Sequence, residues 1–272
     1  MSWTAIAAVT GGLSLGMMAA WIVQRRTRNA GWVDVVWTLA LGAAGVIYAL
    51  LPTAGTPGAS PRQWLVSALV LAWSLRLGVH LAARTGHGPE DRRYAQFRED
   101  WGRGYEPRMF GLLQVQAAAA AILASSMLLA AHNPAPLGVT DLAALAILAV
   151  AVCGAGLADA QLERFRREPK NRGLVCDHGL WRWSRHPNYF FEWLGWFAYP
   201  ALAIDVQGRY PLGWLALSGP VFMYILLVHV SGIPPLERQM LKTRGAAYRE
   251  YQARTSAFFP AAHPRPAHPR TT

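Results

Sequence analysis

The chain has 272 residues and a formal net charge of +11, with 53% hydrophobic and only 15% charged residues. Apolar runs near the ~20 residues that span a bilayer recur along it, so the composition indicates an integral membrane protein. Nothing resembles a phosphate-binding glycine loop, which excludes a soluble dinucleotide-binding module. Two cysteines, Cys153 and Cys176, form neither a disulfide framework nor a zinc-ligand spacing, and no metal site is expected.

Seven apolar runs predict the architecture. They are residues 3–23, 31–51, 63–83, 110–131, 140–163, 188–204 and 211–232. The first run lacks a basic leader and a cleavage site, so we interpret it as a retained helix. Pro200, Pro211 and Pro220 interrupt the last two runs. The sequence therefore predicts an all-α integral membrane bundle of about seven transmembrane helices, with cytoplasmic loops and a C-terminal amphipathic segment. It forms one domain over 1–260, followed by a Pro/His-rich cytoplasmic tail over 261–272.

Basic residues are distributed unevenly between the connections. Most follow the first, third, fifth and seventh runs, whereas the other connections hold only Arg62 and Arg209. This alternation predicts an outside N-terminus and a cytoplasmic C-terminus. Basic loops beside anionic lipid account for most of the net charge, so membrane lipid and not nucleic acid is the expected partner. The loop 164–186, with seven basic residues against Glu168 and Asp177, needs a further explanation.

A few ionisable residues fall within or at the rim of the predicted spans, where each is costly unless it is paired or faces a wet cavity. They are Asp34, Arg76, His80, Asp159, Glu163, Glu192, His229 and Glu237. Two interpretations of Asp34 stay open, namely an ion pair with Arg76 and a role in binding substrate. Arg76 and His80 lie four residues apart and therefore share a helix face. His229 is expected to be a hydrogen-bonded packing residue.

The segment 159–192 gathers polar groups into one pocket-forming unit. Asp159 lies near the end of the fifth run, and a basic loop follows it. Pro187 is suited to the first position of a helix, whose N-terminus favours anions. Asn188 and Glu192 then carry polar groups into an apolar run. An interfacial belt of arginine and tryptophan explains other residues of the segment but not these two.

The C-terminal segment after the seventh run is soluble in character. Tyr248, Tyr251 and Arg254 recur at helical spacing, on roughly one face. We expect an amphipathic helix on the membrane surface, a lid over a bound cofactor, or both.

The runs 158–162, 179–193 and 248–260 together resemble the steroid 5-alpha-reductase superfamily, and within it a bacterial branch labelled DUF1295. The resemblance covers about 25–260, and its bacterial branch implies a bacterial inner membrane. It implies a seven-span membrane reductase that uses NADPH to reduce a carbon–carbon double bond conjugated to a ketone in a lipophilic, steroid-like substrate. The implied NADPH pocket includes Asp159, Arg166, Arg172, Asn188, Tyr189 and Glu192, with Tyr248 and Tyr251 as a cover. Arg185 and His186 are predicted to join it by meeting a phosphate.

The run Arg185–Tyr189 is also similar to sterol C14 reductases and to membrane methyltransferases of isoprenylcysteine and phospholipid type. Asn188 together with Glu192 favours a reductase. A methyltransferase that uses S-adenosylmethionine is the alternative. A non-catalytic membrane scaffold is a third interpretation, which leaves Asn188 and Glu192 unexplained.

One departure from the resemblance concerns the substrate carbonyl. The steroid 5-alpha-reductases hold it with an acid on an early span and a tyrosine on a nearby span. Asp34 takes the acid role by its position, and a protonated Asp34 in a low-dielectric site would polarise the carbonyl. The stretch 80–84 contains no tyrosine. We therefore expect His80 to donate a hydrogen bond to the carbonyl instead, or the substrate to differ from a 4-ene-3-keto steroid. Glu192 is expected at the nicotinamide end of the pocket.

Overall fold

The computed structural model describes residues 3–53, 58–88 and 90–261, and within them the protein is built from helices. The helices are α1 (Trp3–Thr27), α2 (Gly31–Ala49), α3 (Pro61–His87), α4 (Arg92–Trp101), α5 (Tyr105–Ala131), α6 (Val139–Arg167), α7 (Pro187–Gly195), α8 (Ala198–Ala203), α9 (Ser218–Tyr224) and α10 (Ile233–Arg254). These ranges contain no β-strand, only an isolated bridge between Ser184 and Ser256. The predicted tail lies outside the described residues from 262 onward.

Six helical stretches of the described chain are long and apolar enough to cross a membrane. They comprise α1, α2, α3, α6, the stretch Arg92–Ala131 and the stretch Pro211–Arg254. The predicted class, an all-α membrane bundle, is confirmed, and the protein is an integral membrane protein.

The run 188–204 differs from the single span that the sequence suggested. It forms two short helices, α7 and α8, with a turn at Trp196 and Phe197. Pro200 explains the interruption, because a proline has no N–H to donate to the carbonyl four residues earlier, here that of Trp196. The next run is also irregular. It proceeds through a 3₁₀ segment (Pro211–Leu217), α9 and a π-helical turn (Ile225–Val230).

The chain divides into two compact units. The first unit comprises 1–146 and 196–222. In it α2 packs against α1, α3 and α5, and α5 also contacts α8. Gly42 and Gly45 make this packing close, since a β-carbon there would collide with Ser74 of α3 or Met127 of α5. Small residues are the usual means by which membrane helices approach closely, because lipid provides no hydrophobic force between them.

The second unit comprises 147–195 and 223–272. In it α7 lies along the C-terminal part of α6, where Gly154 leaves room for the ring of Phe191. The π-helical turn contacts α10. α10 bends at Gly245, whose φ of 53° is accessible to glycine and strained for other residues. The bend redirects the last part of α10, which carries Tyr248 and Tyr251.

Candidate functional site

The polar corner before α7 is closed by the last described residues of the chain. We call residues 183–186 the corner and residues 255–261 the strap. The backbone N–H of Arg185 donates to the carbonyl of Ser256 at 2.8 Å. The hydroxyl of Ser184 donates to the carbonyl of Phe258, also at 2.8 Å. The strap is therefore fixed by backbone bonds to the corner.

A partly buried ion pair, with side chains 10% and 15% exposed, reinforces this closure. Arg185 Nε donates to Glu237 Oε1 at 2.6 Å, and the Arg185 Nη1 donates to the carbonyls of Gln252 and Thr255 at 3.2 and 2.5 Å. His186 Nε2 lies 3.1 Å from the same Glu237 oxygen. The side chains of Arg185 and His186, predicted to meet a cofactor phosphate, are thus directed to groups of the protein itself. Their structural task is to hold the corner, the strap and α10 together.

Burial sets the charge state of His186. The side chain is 3% exposed, and burial lowers its pKa below the ordinary value of 6.5, although the hydrogen bond with Glu237 acts in the opposite direction. The imidazole also stacks on the ring of Tyr189, with 5.6 Å between ring centroids. A neutral, stacked imidazole at this place orients the start of α7.

A carboxylate and an amide meet beside the corner, as the sequence suggested. Asn188 Nδ2 donates to Asp159 Oδ1 at 3.1 Å, which joins the start of α7 to α6. The Asn188 side-chain oxygen accepts the N–H of Tyr189 at 3.0 Å. Glu192 follows one turn later on the same face of α7 and is half-buried. Asp159, Asn188 and Glu192 together offer donors and acceptors suited to hydroxyl and carboxamide groups.

The loop between α6 and the corner presents guanidinium groups outward. Arg166, Arg172 and Arg182 are all exposed. The amide of Asn171 donates to the carbonyl of Phe165 at 2.9 Å, which fixes the turn after α6. Exposed arginines on a fixed loop suit a phosphorylated ligand, because the planar guanidinium makes two parallel hydrogen bonds to such an anion.

The two tyrosines of the C-terminal segment point inward. Tyr248 and Tyr251 are each only 2% exposed. The Tyr251 hydroxyl donates to the carbonyl of Trp181 at 2.5 Å, and Trp181 Nε1 donates to the carbonyl of Ala158 at 2.9 Å. These rings are packing residues of the second unit and not anchors on a membrane surface. The hydroxyl of Tyr251 connects α10 to α6 through Trp181 of the loop.

A second polar cluster lies in the first unit and was not anticipated. Asp34 Oδ2 accepts a hydrogen bond from Arg93 Nη2 at 2.5 Å, and Asp34 Oδ1 accepts the hydroxyl of Tyr94 at 2.7 Å. Asp91 binds the Nε of Arg93 at 3.0 Å. We call Asp34, Asp91, Arg93 and Tyr94 the Asp34 cluster. Burial acts to raise the pKa of Asp91, but Arg93 and then Arg84 outweigh it and hold that pKa below its ordinary value.

The Asp34 cluster changes three expectations. The ion pair shown for Asp34 is with Arg93, which the sequence argument did not consider, and Arg76 is half-buried on α3. Asp34 accepts two hydrogen bonds, so the geometry presents it as an acceptor and not as a protonated donor. A tyrosine from beyond the third span, Tyr94, lies next to Asp34, whereas His80 is exposed on α3.

A local signal for α4 was present in the sequence. Asp91 caps the helix by accepting the N–H of Arg93 at 3.0 Å, as aspartate commonly does at this position. Tyr94, Phe97 and Trp101 recur at helical spacing, and Phe97 stacks on Trp101 with ring centroids 4.7 Å apart. An amphipathic helix was therefore predictable here, but its contact with Asp34 was not.

Comparisons with known proteins identify the family. The model for "Protein of unknown function (DUF1295)" matches residues 20–255. The chain belongs to the DUF1295 family. It is 28% identical over 268 residues to an uncharacterized protein of the fission yeast Schizosaccharomyces pombe, an alignment that covers 88% of this chain and 75% of the relative. No solved structure matches the chain.

The DUF1295 match includes the Asp34 cluster, the Asp159–Asn188 pair and the corner. It ends at residue 255, so most of the strap lies beyond it. Within the described part of this DUF1295 chain, no group of three His, Cys, Asp or Glu residues is arranged to hold a metal ion.

Proposed function

We propose that this DUF1295 protein is an NADPH-dependent membrane reductase of a carbon–carbon double bond conjugated to a ketone in a lipophilic, steroid-like substrate. The proposal extends the resemblance to the steroid 5-alpha-reductase superfamily. The observation that carries it is the bond between Asp34 and Tyr94, an acid of an early span with a tyrosine hydroxyl at 2.7 Å. That combination is what the resemblance implies for the carbonyl end of the site.

Tyr94 is the proposed donor to the substrate carbonyl. Negative charge builds on the carbonyl oxygen during reduction, and a preorganised hydroxyl donor is a common means of stabilising it. The Tyr94 side chain is 3% exposed, so its hydroxyl acts where water competes poorly. In this structure the single proton of the hydroxyl is donated to Asp34, which holds the hydroxyl in place, and a bound carbonyl would receive that proton instead. Arg93 pairs with Asp34 and balances its charge. Asp34 is thus a positioning residue that acts through Tyr94.

The second unit carries groups that fit NADPH. The exposed Arg166, Arg172 and Arg182 suit its phosphates. The Asp159–Asn188 pair suits a ribose hydroxyl or the carboxamide, which both donate and accept. When bound, NADPH would supply the hydride. Arg185 and His186 support this arrangement indirectly, because they hold the start of α7 against α10.

The first test is cofactor binding by the purified full chain. We expect NADPH to bind and S-adenosylmethionine not to bind, as followed by calorimetry. Arg172→Ala should weaken NADPH binding by ~1–3 kcal/mol, the scale of a lost hydrogen bond to a charged group. Arg108→Ala, which removes an exposed arginine from α5 in the first unit, is the matched control. Tight binding of S-adenosylmethionine would contradict the reductase proposal and favour a methyltransferase.

We further propose that both basic loops, 84–108 and 164–186, face the cytoplasm, with the N-terminus outside. The alternation of basic residues supports this orientation. A cysteine placed at the exposed position 172 should resist a membrane-impermeant thiol reagent added to intact cells and react after lysis. Ready labelling in intact cells would contradict this orientation and indicate that the loop 164–186 faces the outside.

A further inference from the structure

A cleft in the first unit is not used by the proposed reductase. It has a volume of about 480 Å³ and lies where the end of α1 meets α4 and the start of α5. Its lining residues are Gln24, Arg25, Arg28, Arg98 and Glu106. Three arginines and one glutamate thus line the cleft, and a second carboxylate, that of Glu90, pairs with Arg98. Such an excess of positive charge makes the cleft attractive to an anion.

The single carboxylate of the cleft is already engaged. Glu106 Oε2 accepts from Gln24 Nε2 at 3.2 Å and lies 3.5 Å from Arg25 Nε. Arg98 forms an ion pair with Glu90 at 3.0 Å and lies over the ring of Tyr105, yet its side chain stays 40% exposed. The arginines are therefore oriented by protein groups and still accessible. An arginine held in this way loses little freedom when it binds an anion.

Arg28 provides an independent observation. It directly follows α1 and has a φ of 52°, the single non-glycine residue with a positive φ in the described chain. Helices often end with a residue in this left-handed conformation, but the residue is usually glycine, because a β-carbon is strained there. With arginine at this position, the backbone is strained and an exposed guanidinium lies at the cleft. Such strain is typical of positions where the side chain has a task.

The cleft lies at the end of a candidate membrane span, beside aromatic residues typical of the lipid–water boundary. Arg25 lies over the ring of Trp21, with 4.6 Å from the guanidinium carbon to the ring centroid. Basic pockets between spans at this level bind phosphate-bearing lipid headgroups. Arginine suits phosphate for the further reason that its fork of donors matches two phosphate oxygens.

We propose that this cleft is a binding site for a phosphate group, such as the headgroup of an anionic phospholipid. Arg28 and Arg98 are its principal ligands, with Arg25 held ready by Glu106. The same chemistry would accept the phosphate of a soluble molecule, and the experiment below separates the two sources. This site is independent of the reductase proposal, since none of its residues belongs to the Asp34 cluster or to the second unit.

The experiment is native mass spectrometry of the full chain in detergent, with three probes. These are phosphatidic acid, phosphatidylcholine with the same acyl chains, and inorganic phosphate. We expect phosphatidic acid to bind more tightly than phosphatidylcholine, and Arg28→Gln to weaken its binding by about tenfold or more, the scale of a lost charge-assisted hydrogen bond. Arg26→Gln is the matched control, because Arg26 is an exposed arginine of the same helix that does not line the cleft.

A second variant keeps the proposal testable if stability changes. Arg28→Gly removes the guanidinium and also the strain, so it should unfold at the same temperature as the parent or higher, yet bind phosphatidic acid as weakly as Arg28→Gln. If inorganic phosphate binds with the same sensitivity to Arg28, the ligand includes soluble phosphates. If it does not bind, the site is specific to lipid. Equal losses in the Arg26 and Arg28 variants, or equal affinity for both lipids, would overturn the site.

Discussion

Two arginine–aspartate pairs of the first unit have the same closest distance and opposite surroundings. Arg62 Nη1 lies 2.5 Å from Asp141 Oδ1, and Arg93 Nη2 lies 2.5 Å from Asp34 Oδ2. The side chains of the first pair are 4% and 5% exposed, whereas those of the second are 24% and 22% exposed. The distance alone therefore does not separate a buried pair from a partly exposed one.

The difference lies in how completely the partners are satisfied. Arg62 also donates to the carbonyl of Leu202 at 2.9 Å and to those of two residues in the connection before α6. Asp141 accepts the N–H of Gly138 at 2.6 Å. The Nε of Arg62 is buried without a hydrogen-bond partner, so the network is nearly closed, and it joins α3, α6 and the end of α8. The Asp34 cluster instead joins two adjacent residues of α4, Arg93 and Tyr94, to one carboxylate and stays partly accessible.

The largest effect is expected from breaking the closed pair. Asp141→Asn leaves the guanidinium of Arg62 buried without its counter-charge, which should cost ~3–5 kcal/mol of unfolding free energy. Thermal unfolding of the purified protein in detergent measures it. Glu99→Gln, at an exposed position on α4, is the control and should change little. Equal stability of the Asp141 and Glu99 variants would contradict a structural role for the Arg62–Asp141 pair.

The open pair should behave differently. Asp34→Asn should reduce stability much less than Asp141→Asn, while slowing reduction of a lipophilic enone by ~10²-fold or more, since Tyr94 loses the acceptor that orients its hydroxyl. Tyr94→Phe should slow the reaction to a similar extent, and NADPH binding should persist in both variants. A fall in stability as large as that of Asp141→Asn, without a selective kinetic loss, would make the Asp34 cluster structural.

The smallest effect concerns His186, which is bonded to Glu237 in the second unit, and this effect depends on pH. Burial lowers the pKa of His186, so the unfolded chain binds a proton more readily than the folded one near the ordinary value of 6.5. The stability that neutral His186 contributes is therefore complete above that value and is lost as the pH falls through the lowered pKa. Unfolding temperatures should decline between about pH 7 and about pH 5, and less steeply in His186→Gln. His87→Gln, at an exposed position, is the control and should leave the dependence of the unfolding temperature on pH unchanged.

The membrane helices were predictable because a bilayer imposes a length and an apolar composition on any helix that spans it. The sequence placed Asp159 and Asn188 in one pocket-forming unit for a similar reason, since both are polar groups close to an apolar span and need partners. It did not predict the hydrogen bond between them. The sequence did not predict the break between α7 and α8 as such, although Pro200 marked it. Proline shows that a helix is interrupted but not whether it bends or ends.

The partners of individual side chains were not predictable from the sequence. Asp34 and Tyr94 are separated by 60 positions, and Arg62 and Asp141 by 79. Many arginines and carboxylates compete as partners across such separations, and only packing selects among them. Arg185 illustrates the same limit: its place beside a predicted anion site suggested a phosphate contact, whereas the fold directs it to Glu237.

The strap has a consequence for the order in which the protein assembles. Ser184 and Phe258 are bonded although 74 positions separate them, so the corner cannot close until nearly all of the described chain has been synthesised. Contacts of such long sequence separation form late, because the intervening chain must first be ordered. The corner thus reaches its final arrangement only when the strap docks. The second unit is therefore complete only after synthesis of the chain has reached the strap.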